Sequence, residues 1–458
     1  MARKKSPALS IPELRTTFNE RVIVPGDADY DKARTIFYGG VDRHPAAVIK
    51  VKNAAEVAQV ISLARDHDLE LAVRSGGHSN AGHSVTEGGI VLDLSLMKDI
   101  QIDPESKTAW AESGLTAAEF TTATIAQGLV VGFGDAGTVG LGGITLGGGV
   151  GYLVRKHGLT IDSLLAAELV TADGKILIVD STNYPDLFWA IRGGGGNFGV
   201  VTRFRYQLNP LDKVYGGMLF LPATADVIAS FVAAAESASE ELSGIANVMF
   251  APPMPFLAPE HHGKLIIMAM MVYCGDVADG EKAFAPFRAL ATPLADMLRP
   301  MSYTEMYPPE QGGDYHPVAA SRNMFIDHVD KAVAETILEH LNSSTAMMSV
   351  AQLRVLGGAM ARIPEDATAF AHRKSKIMVN LAGLYGNPGE KSKHEAWVNQ
   401  FAKAIEQSDK GAYVNFLAAG DEALVRTAYP DATWERLRKI KSQYDPTNLF
   451  HMNQNIKP

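Results

Sequence analysis

Glycine crowding between residues 132 and 151 constrains this chain more than any other feature. Gly132, Gly134, Gly137, Gly140, Gly142, Gly143, Gly147, Gly148, Gly149 and Gly151 share one short stretch, and a second cluster spans Gly193 to Gly196 with Gly199. Dense glycine costs backbone entropy. It persists where a turn demands it or where backbone N–H groups approach a ligand closely, phosphate oxygens above all. One cluster alone fits turns in a β-rich domain as well as it fits a cradle. Gly140-Leu-Gly-Gly-Ile-Thr145 has the outline of a Rossmann loop, but further glycines follow where the helix should start, and the expected acid is missing. No Gly-Lys-[Ser/Thr] sequence occurs, which excludes a Walker A loop. A phosphate-rich cofactor cradled by loops of another fold remains.

The flanking sequence alternates strand and helix. Ala47 to Val51 reads as a strand, and Asn53 with Glu56 as a capping box opening a helix whose buried face carries Val57, Val60, Ile61 and Ala64. Leu69 to Val73 is the next strand and runs into Arg74-Ser-Gly-Gly-His-Ser79. Gly88-Gly89 precedes the strand Ile90-Val-Leu92. Thr116 and Glu119 form a second box, with Gly128 closing that helix. Glu168 to Val179 is a hairpin turning at Asp173-Gly174. Beyond about Pro210 glycine thins and methionine becomes common. Leu265 to Tyr273, Met348 to Leu356 and Lys376 to Leu384 read as long strands, and Val333 to Leu341 as a helix. From Thr433 a helix carrying Trp434, Leu437 and Ile440 leads to Tyr444-Asp-Pro-Thr-Asn-Leu-Phe450 and the tail Asn453 to Pro458.

At 458 residues the chain is too long for one core, and the change in pattern places a boundary near 208–212. Net charge is −9, and Arg3-Lys4-Lys5 is the only basic block, so neither nucleic acid nor an anionic membrane is an expected partner. A single cysteine, Cys274, excludes an intrachain disulfide and CxxC chemistry. Ser6 to Arg15 contains no apolar stretch of a signal peptide, and no long apolar run suggests a membrane span. A cytoplasmic protein without metal, monomeric or homodimeric, is the expectation.

Taken in order, Arg74 to Ser79, Gly88 to Asp93, the 137–160 segment through Arg155-Lys-His-Gly-Leu-Thr160, Asp186 to Gly195, Asn197-Phe-Gly-Val-Val-Thr202 and the Tyr444 to Pro458 tail resemble the FAD-linked oxidases of the vanillyl-alcohol oxidase superfamily. The closer branch resembles the berberine bridge enzyme-like group. The resemblance implies an α+β architecture: a PCMH-type FAD-binding domain of two α/β subdomains over 1–207, with its core at about 40–207, an antiparallel-sheet substrate domain flanked by helices over 208–414, and a C-terminal segment, 415–458, returning to the first domain. It assigns His78 the bond to the flavin 8-methyl carbon, a bond that a neutral imidazole nitrogen can form. A lone loop histidine is otherwise usually exposed. FAD contacts fall by the same resemblance to Arg74, Ser75, Gly76, Gly77, Ser79, His83, Thr138, Val139, Gly140, Gly142, Gly143, Gly147, Gly148, Gly149, Val200, Asn453 and Asn455.

Three departures from the group's pattern narrow the chemistry. Where relatives carry a cysteinyl link, this chain reads Ala136-Gly-Thr-Val-Gly140, so one covalent link, without a cysteinyl partner, is expected. Val139 matches the oxygen gate, where valine resembles oxidases and leucine dehydrogenases. Phe416, in Tyr413-Val-Asn-Phe416, stands where plant and sugar-oxidising relatives have a tyrosine base, and Ile144 and Val150 replace two polar groups. Alcohol oxidation needs a base for the hydroxyl proton, whereas an amine with a free lone pair does not. The site therefore resembles the nicotine-oxidase type. Remaining catalytic candidates are Gln352 and Arg354, on one face of a strand by period two, with Asn415 and Tyr413. Arg354 binds a substrate carboxylate or stabilises the flavin if it faces inward, and is otherwise solvent-facing or salt-bridged; Tyr429 is a weaker candidate. The expected activity is hydride transfer from a small aromatic or heterocyclic amine or alcohol to FAD, with O2 as acceptor and hydrogen peroxide as product. A dehydrogenase with another acceptor, a carbohydrate or alcohol oxidase of the same family, and a binding protein that has lost the chemistry are the alternatives.

Overall fold

The computed structural model describes residues 9–307, 315–420 and 422–458; the basic Arg3-Lys4-Lys5 lies outside them. Three larger sheets organise the described residues, beside a two-stranded one that pairs Leu129–Val130 with Asn209–Pro210. In the first, Ala47–Lys50, Ile90–Asp93 and Leu71–Arg74 pair in parallel, with the short strand Val22–Ile23 antiparallel at one edge. Parallel pairing needs a crossover, and the helix Ala54–Asp66 supplies one, burying Val57, Val60, Ile61 and Ala64 as its spacing predicts. Asn53 caps that helix by accepting from Glu56 N at 2.9 Å. The expected box stays half closed, because the Glu56 carboxylate takes Lys52 N and the Arg21 guanidinium instead. The Thr116–Glu119 box is complete.

The second sheet is antiparallel, in the order Ile100–Asp103, Thr108–Glu112, Val200–Gln207, Leu164–Val170 and Ile176–Asp180. Its last two strands form the expected hairpin, with Gly174 at φ +83° in the turn. The glycine segment departs from expectation in one respect: a helix does begin at once, over Leu141–Leu146, before Gly147 ends it. Six residues are too few for the long helix of a Rossmann unit, so that exclusion stands on length and not on absence of helix.

The third sheet is eight-stranded and antiparallel. Its main path runs Ala295–Asp296, Val214–Pro222, Leu265–Tyr273, Leu242–Phe250, Met348–Val355, Ile377–Leu384 and Ala319–Ile326. One face is buried beneath helices. Ala351, Leu353, Val355, Ile377, Val379 and Leu381 join a core with Phe231, Ile337 and Phe401, which come from helices Ala225–Ser237, Lys331–Ser343 and Lys391–Ala404. Strand alternation sends Gln352, Arg354, Asn380 and Ala382 to the other face, where they line a cavity. The architecture is the α+β one expected, with two smaller sheets in the first part and a helix-flanked antiparallel sheet in the second. The helix Asp431–Tyr444 and the tail return to the first part, where Trp434, Leu437 and Ile456 enter its core.

Candidate active site

A cavity of about 580 Å³ lies between the glycine loops, the tail and the open face of the eight-stranded sheet, within the usual range for small-molecule sites. Its walls bring together Ser75, Gly76, Gly77, His78, Ser79, His83, Val139, Gly140, Gly142, Gly143, Val200 and Asn453 from the expected cofactor set, and Gln352, Arg354, Tyr413 and Asn415 from the expected substrate side. Arg74, Thr138, Gly147, Gly148, Gly149 and Asn455 stand outside the wall. Arg74 is buried on Asp93 at 2.7 Å, fixing the strand end from which the His78 loop departs. Gly147 to Gly149 pack behind the wall. A Cβ on Gly147 would meet Asn415 Oδ1 at 2.0 Å, and one on Gly149 would meet Thr160 Oγ1 at 1.9 Å.

Close backbone approach explains the glycines at the wall. Gly76 and Gly140 face each other so tightly that a Cβ on Gly76 would lie 2.2 Å from Gly140 N. Ser75 Oγ clasps the two loops by donating to Ser113 O at 2.5 Å and accepting from Gly142 N at 3.3 Å. Gly77, at φ +72°, turns the chain so that His78 enters the cavity. Among the described residues the N–H groups of Gly76, Gly77 and His78 donate no hydrogen bond, leaving a row of donors in the loop. Ser84 Oγ, Asn380 Oδ1 and Asn453 Oδ1 are buried, partnerless atoms of lining residues. Buried polar groups are rarely left so unless a ligand or water completes them. The donor row and these orphaned atoms fit a long, phosphate-bearing cofactor reaching from the tail to the sheet.

His78 makes no hydrogen bond among the described residues; its ring stacks on Phe37 at 4.1 Å and 17°. Burial holds its imidazole down to about 4. His83 and His157 are also held at about 4, mainly by burial, with the positive charges of Arg43 and Lys156 adding to the respective shifts. All three are therefore neutral in the folded chain, while the unfolded chain takes up protons near pH 6.5. Between the two values the unfolded state binds more protons, so stability is lost as pH falls. Protein produced without flavin should show a urea midpoint that declines as pH drops from about 6.5 towards 4, with a shallower decline in His83→Gln. A midpoint independent of pH between 6.5 and 5 would contradict this.

Tyr413 is held by its hydroxyl, which accepts from Gly149 N at 3.0 Å and Asn415 Nδ2 at 2.9 Å. Burial raises its pKa, opposed by these donors. Tyr429 donates to Gly193 O and is packed away from the cavity. Arg354 is the salt-bridged alternative, buried on Asp135 at 2.6 Å, yet it still lines the cavity. Sequence reasoning missed Phe37, Tyr38, Asp135, Asn380 and Ser321, which also line it. Asn380 carried a signal, being a polar residue inside an apolar strand. Asp135, in Gly134-Asp-Ala-Gly137, carried only its position in the glycine segment.

Among the described residues, no group of three or more His, Cys, Asp or Glu is placed to hold a metal, and no helix is long and apolar enough to cross a membrane. Residues 45–180 match the FAD binding domain family and residues 412–457 the berberine and berberine-like family. An uncharacterized FAD-linked oxidoreductase of Bacillus subtilis is 29% identical, with 97% of this chain and 98% of that one covered. (R)-6-hydroxynicotine oxidase of Paenarthrobacter nicotinovorans is 29% identical over 95% of this chain and 96% of its own. The crystal structure of 6-hydroxy-D-nicotine oxidase from Arthrobacter nicotinovorans superposes with a TM-score of 0.85 at 28% identity, covering 95% of this chain and 97% of that one. The glycine segments around Gly76 and Gly140 thus lie within the matched FAD binding domain and the returning tail within the berberine-like match, and the chain is an FAD-linked oxidoreductase similar along nearly its whole length to (R)-6-hydroxynicotine oxidase.

Proposed function

We propose that this protein is an oxidase that carries FAD on a single bond to His78 and oxidises a small aromatic or heterocyclic amine or alcohol, with O2 as the final acceptor. The observation that carries the reading is His78 itself: a half-buried imidazole, held neutral by its surroundings and free of hydrogen bonds among the described residues, in the wall between the glycine loops and the substrate-side sheet. Bound FAD supplies a two-electron acceptor that takes hydride from the substrate and passes the electrons to O2 as hydrogen peroxide. Everything else falls to the chain. Residues 1–207 and 415–458 would hold the cofactor, and 208–414 the substrate. A cysteinyl link has no partner here, because Cys274 is the one cysteine and is buried away from the cavity.

Tyr413 has its hydroxyl committed to the backbone of the glycine loop, and Phe416 brings an apolar ring to the wall. A substrate whose own nitrogen lone pair drives hydride loss suits such a wall better than an alcohol needing a general base. The resemblance to (R)-6-hydroxynicotine oxidase points the same way. Half-buried Val139 leaves room for O2 on the wall, where the longer leucine would fill it. The test is anaerobic mixing with a panel of cyclic and aromatic amines, followed by air. The expected outcome is flavin bleaching by an amine, then recovery of colour with one peroxide per turnover. Bleaching followed by slow recovery in air, with fast recovery on a dye acceptor, would replace the oxidase by the dehydrogenase.

A further inference from the structure

Two charged side chains from different parts of the chain meet where the substrate-side sheet closes the cavity. Asp135 comes from the glycine segment and Arg354 from the strand Met348–Val355, and Arg354 Nη2 donates to Asp135 Oδ2 at 2.6 Å. The guanidinium is fixed from two further directions. Its Nε and Nη2 donate to Gln352 Oε1 at 2.9 and 2.6 Å, and it lies over the Phe416 ring at 5.3 Å from the centroid. Gln352 is held in turn, donating to Asn247 Oδ1 at 2.9 Å. The Arg354 side chain is only 5% exposed, while that of Asp135 is 27% exposed.

Two positions of this pair stay open. Among the described residues, Asp135 Oδ1 accepts no hydrogen bond and Arg354 Nη1 donates none, and neither is a sealed, buried atom. Asp135 and Arg354 are also the only Asp, Glu, Lys or Arg among the described lining residues, and the lining histidines His78 and His83 are neutral. Among the described residues the wall thus carries one negative and one positive charge that already cancel. It presents one open acceptor beside one open donor.

We infer that the Asp135–Arg354 pair is a specificity clamp for an uncharged substrate edge that pairs an N–H donor with a carbonyl acceptor, as in a carboxamide or a lactam. The donor meets Asp135 Oδ1 and the acceptor meets Arg354 Nη1. This rests on the cavity being the substrate site of the proposed oxidase. The selection is electrostatic. A carboxylate or an ammonium entering here keeps a net charge that the neutral pair cannot offset, in surroundings that solvate charge poorly. A neutral donor–acceptor edge satisfies both open positions with charge-assisted hydrogen bonds and adds no charge.

Benzamide, benzoate and benzamidine share one ring and nearly one shape while being neutral, anionic and cationic. Calorimetric titration of each into the purified protein tests the clamp without turnover. Benzamide should bind wild type at least about tenfold more tightly than either ion. Asp135→Asn leaves the guanidinium unpaired and should shift the preference to benzoate; Arg354→Gln leaves the carboxylate unpaired and should shift it to benzamidine. Wild type that binds either ion as tightly as benzamide, or binds none of the three, overturns the proposal. That ranking decides the matter even if a variant fails to fold. Flavin absorbance of the same samples reports separately on the cofactor reading, so a yellow protein without the ranking loses only the clamp, and a colourless one with it loses only the oxidase.

Discussion

After acid precipitation, wild-type protein should give a yellow pellet and His78→Ala a white one, with the flavin of the variant entirely in the supernatant. The expected difference is all or none, because no cysteine is available for a second bond. The chain has a single cysteine, and Cys274 packs among Tyr152, Tyr303 and Met301, outside the cavity, with burial pushing its thiol up to about 12. The environment of His78 favours attachment in two ways. Burial keeps the imidazole unprotonated, so its ring nitrogens carry an available lone pair at neutral pH. The Phe37 ring, stacked at 4.1 Å, orients an imidazole with no hydrogen bond among the described residues. Phe37→Ala should therefore slow attachment without abolishing FAD binding, and Phe37→Tyr should restore it. Flavin retained in the His78→Ala pellet would place the bond elsewhere. Flavin released from wild type too would mean that the cofactor is held by non-covalent contacts alone.

How far the sequence disclosed this site follows from which interactions are local. The His78 loop was legible because its constraint is written in adjacent residues: Gly77 must adopt a positive φ and Gly76 must tolerate a neighbouring backbone. Alternation in Met348–Val355 was equally legible, since period two fixes which side chains share a face. Val214–Pro222, Leu242–Phe250 and Ala319–Ile326 were missed. Each mixes small, polar and apolar residues, and their strand character comes from pairing with strands further along the chain, Leu242–Phe250 with Met348–Val355 among them. Asp135 and Phe37 were missed for the same reason. Asp135 acquires its role from Arg354, 219 residues away, and Phe37 acquires its role from a ring that arrives on another loop. The roles assigned to Arg74 and to Gly147–Gly149 came from motif membership. The structure places these residues one layer behind the wall, where they hold its shape.

Lys441→Met should cost about 3–5 kcal/mol of stability, because it strips one partner from a buried ion pair. Lys441 and Asp445 sit one helical turn apart at the end of Asp431–Tyr444, both with fully buried side chains, 2.6 Å apart. Burial lowers the lysine pKa, and the Asp445 carboxylate opposes that shift. The ammonium also donates to Asn197 O at 2.7 Å and Phe450 O at 3.0 Å, while Asp445 accepts from Leu449 N and Phe450 N. One cation thus ties the last helix, the second glycine cluster and the turn that launches the tail. Methionine fills the volume but leaves Asp445 charged and buried, and the Asn197 carbonyl without this donor. The loss falls on function because Phe450, Met452, Asn453 and Gln454 beyond the turn form one wall of the cavity, and Gly195 to Asn197 form its neighbour. With His78→Ala as the background, so that FAD binds by non-covalent contacts alone, Lys441→Met should weaken FAD affinity together with the urea midpoint. Lys441→Met/Asp445→Asn should regain part of both, since the asparagine carbonyl can still accept a backbone N–H and no charge is left buried. An unchanged urea midpoint in Lys441→Met would show that the pair contributes nothing net to the fold. A lowered midpoint with unaltered FAD affinity would show that the tail keeps its place without the tie.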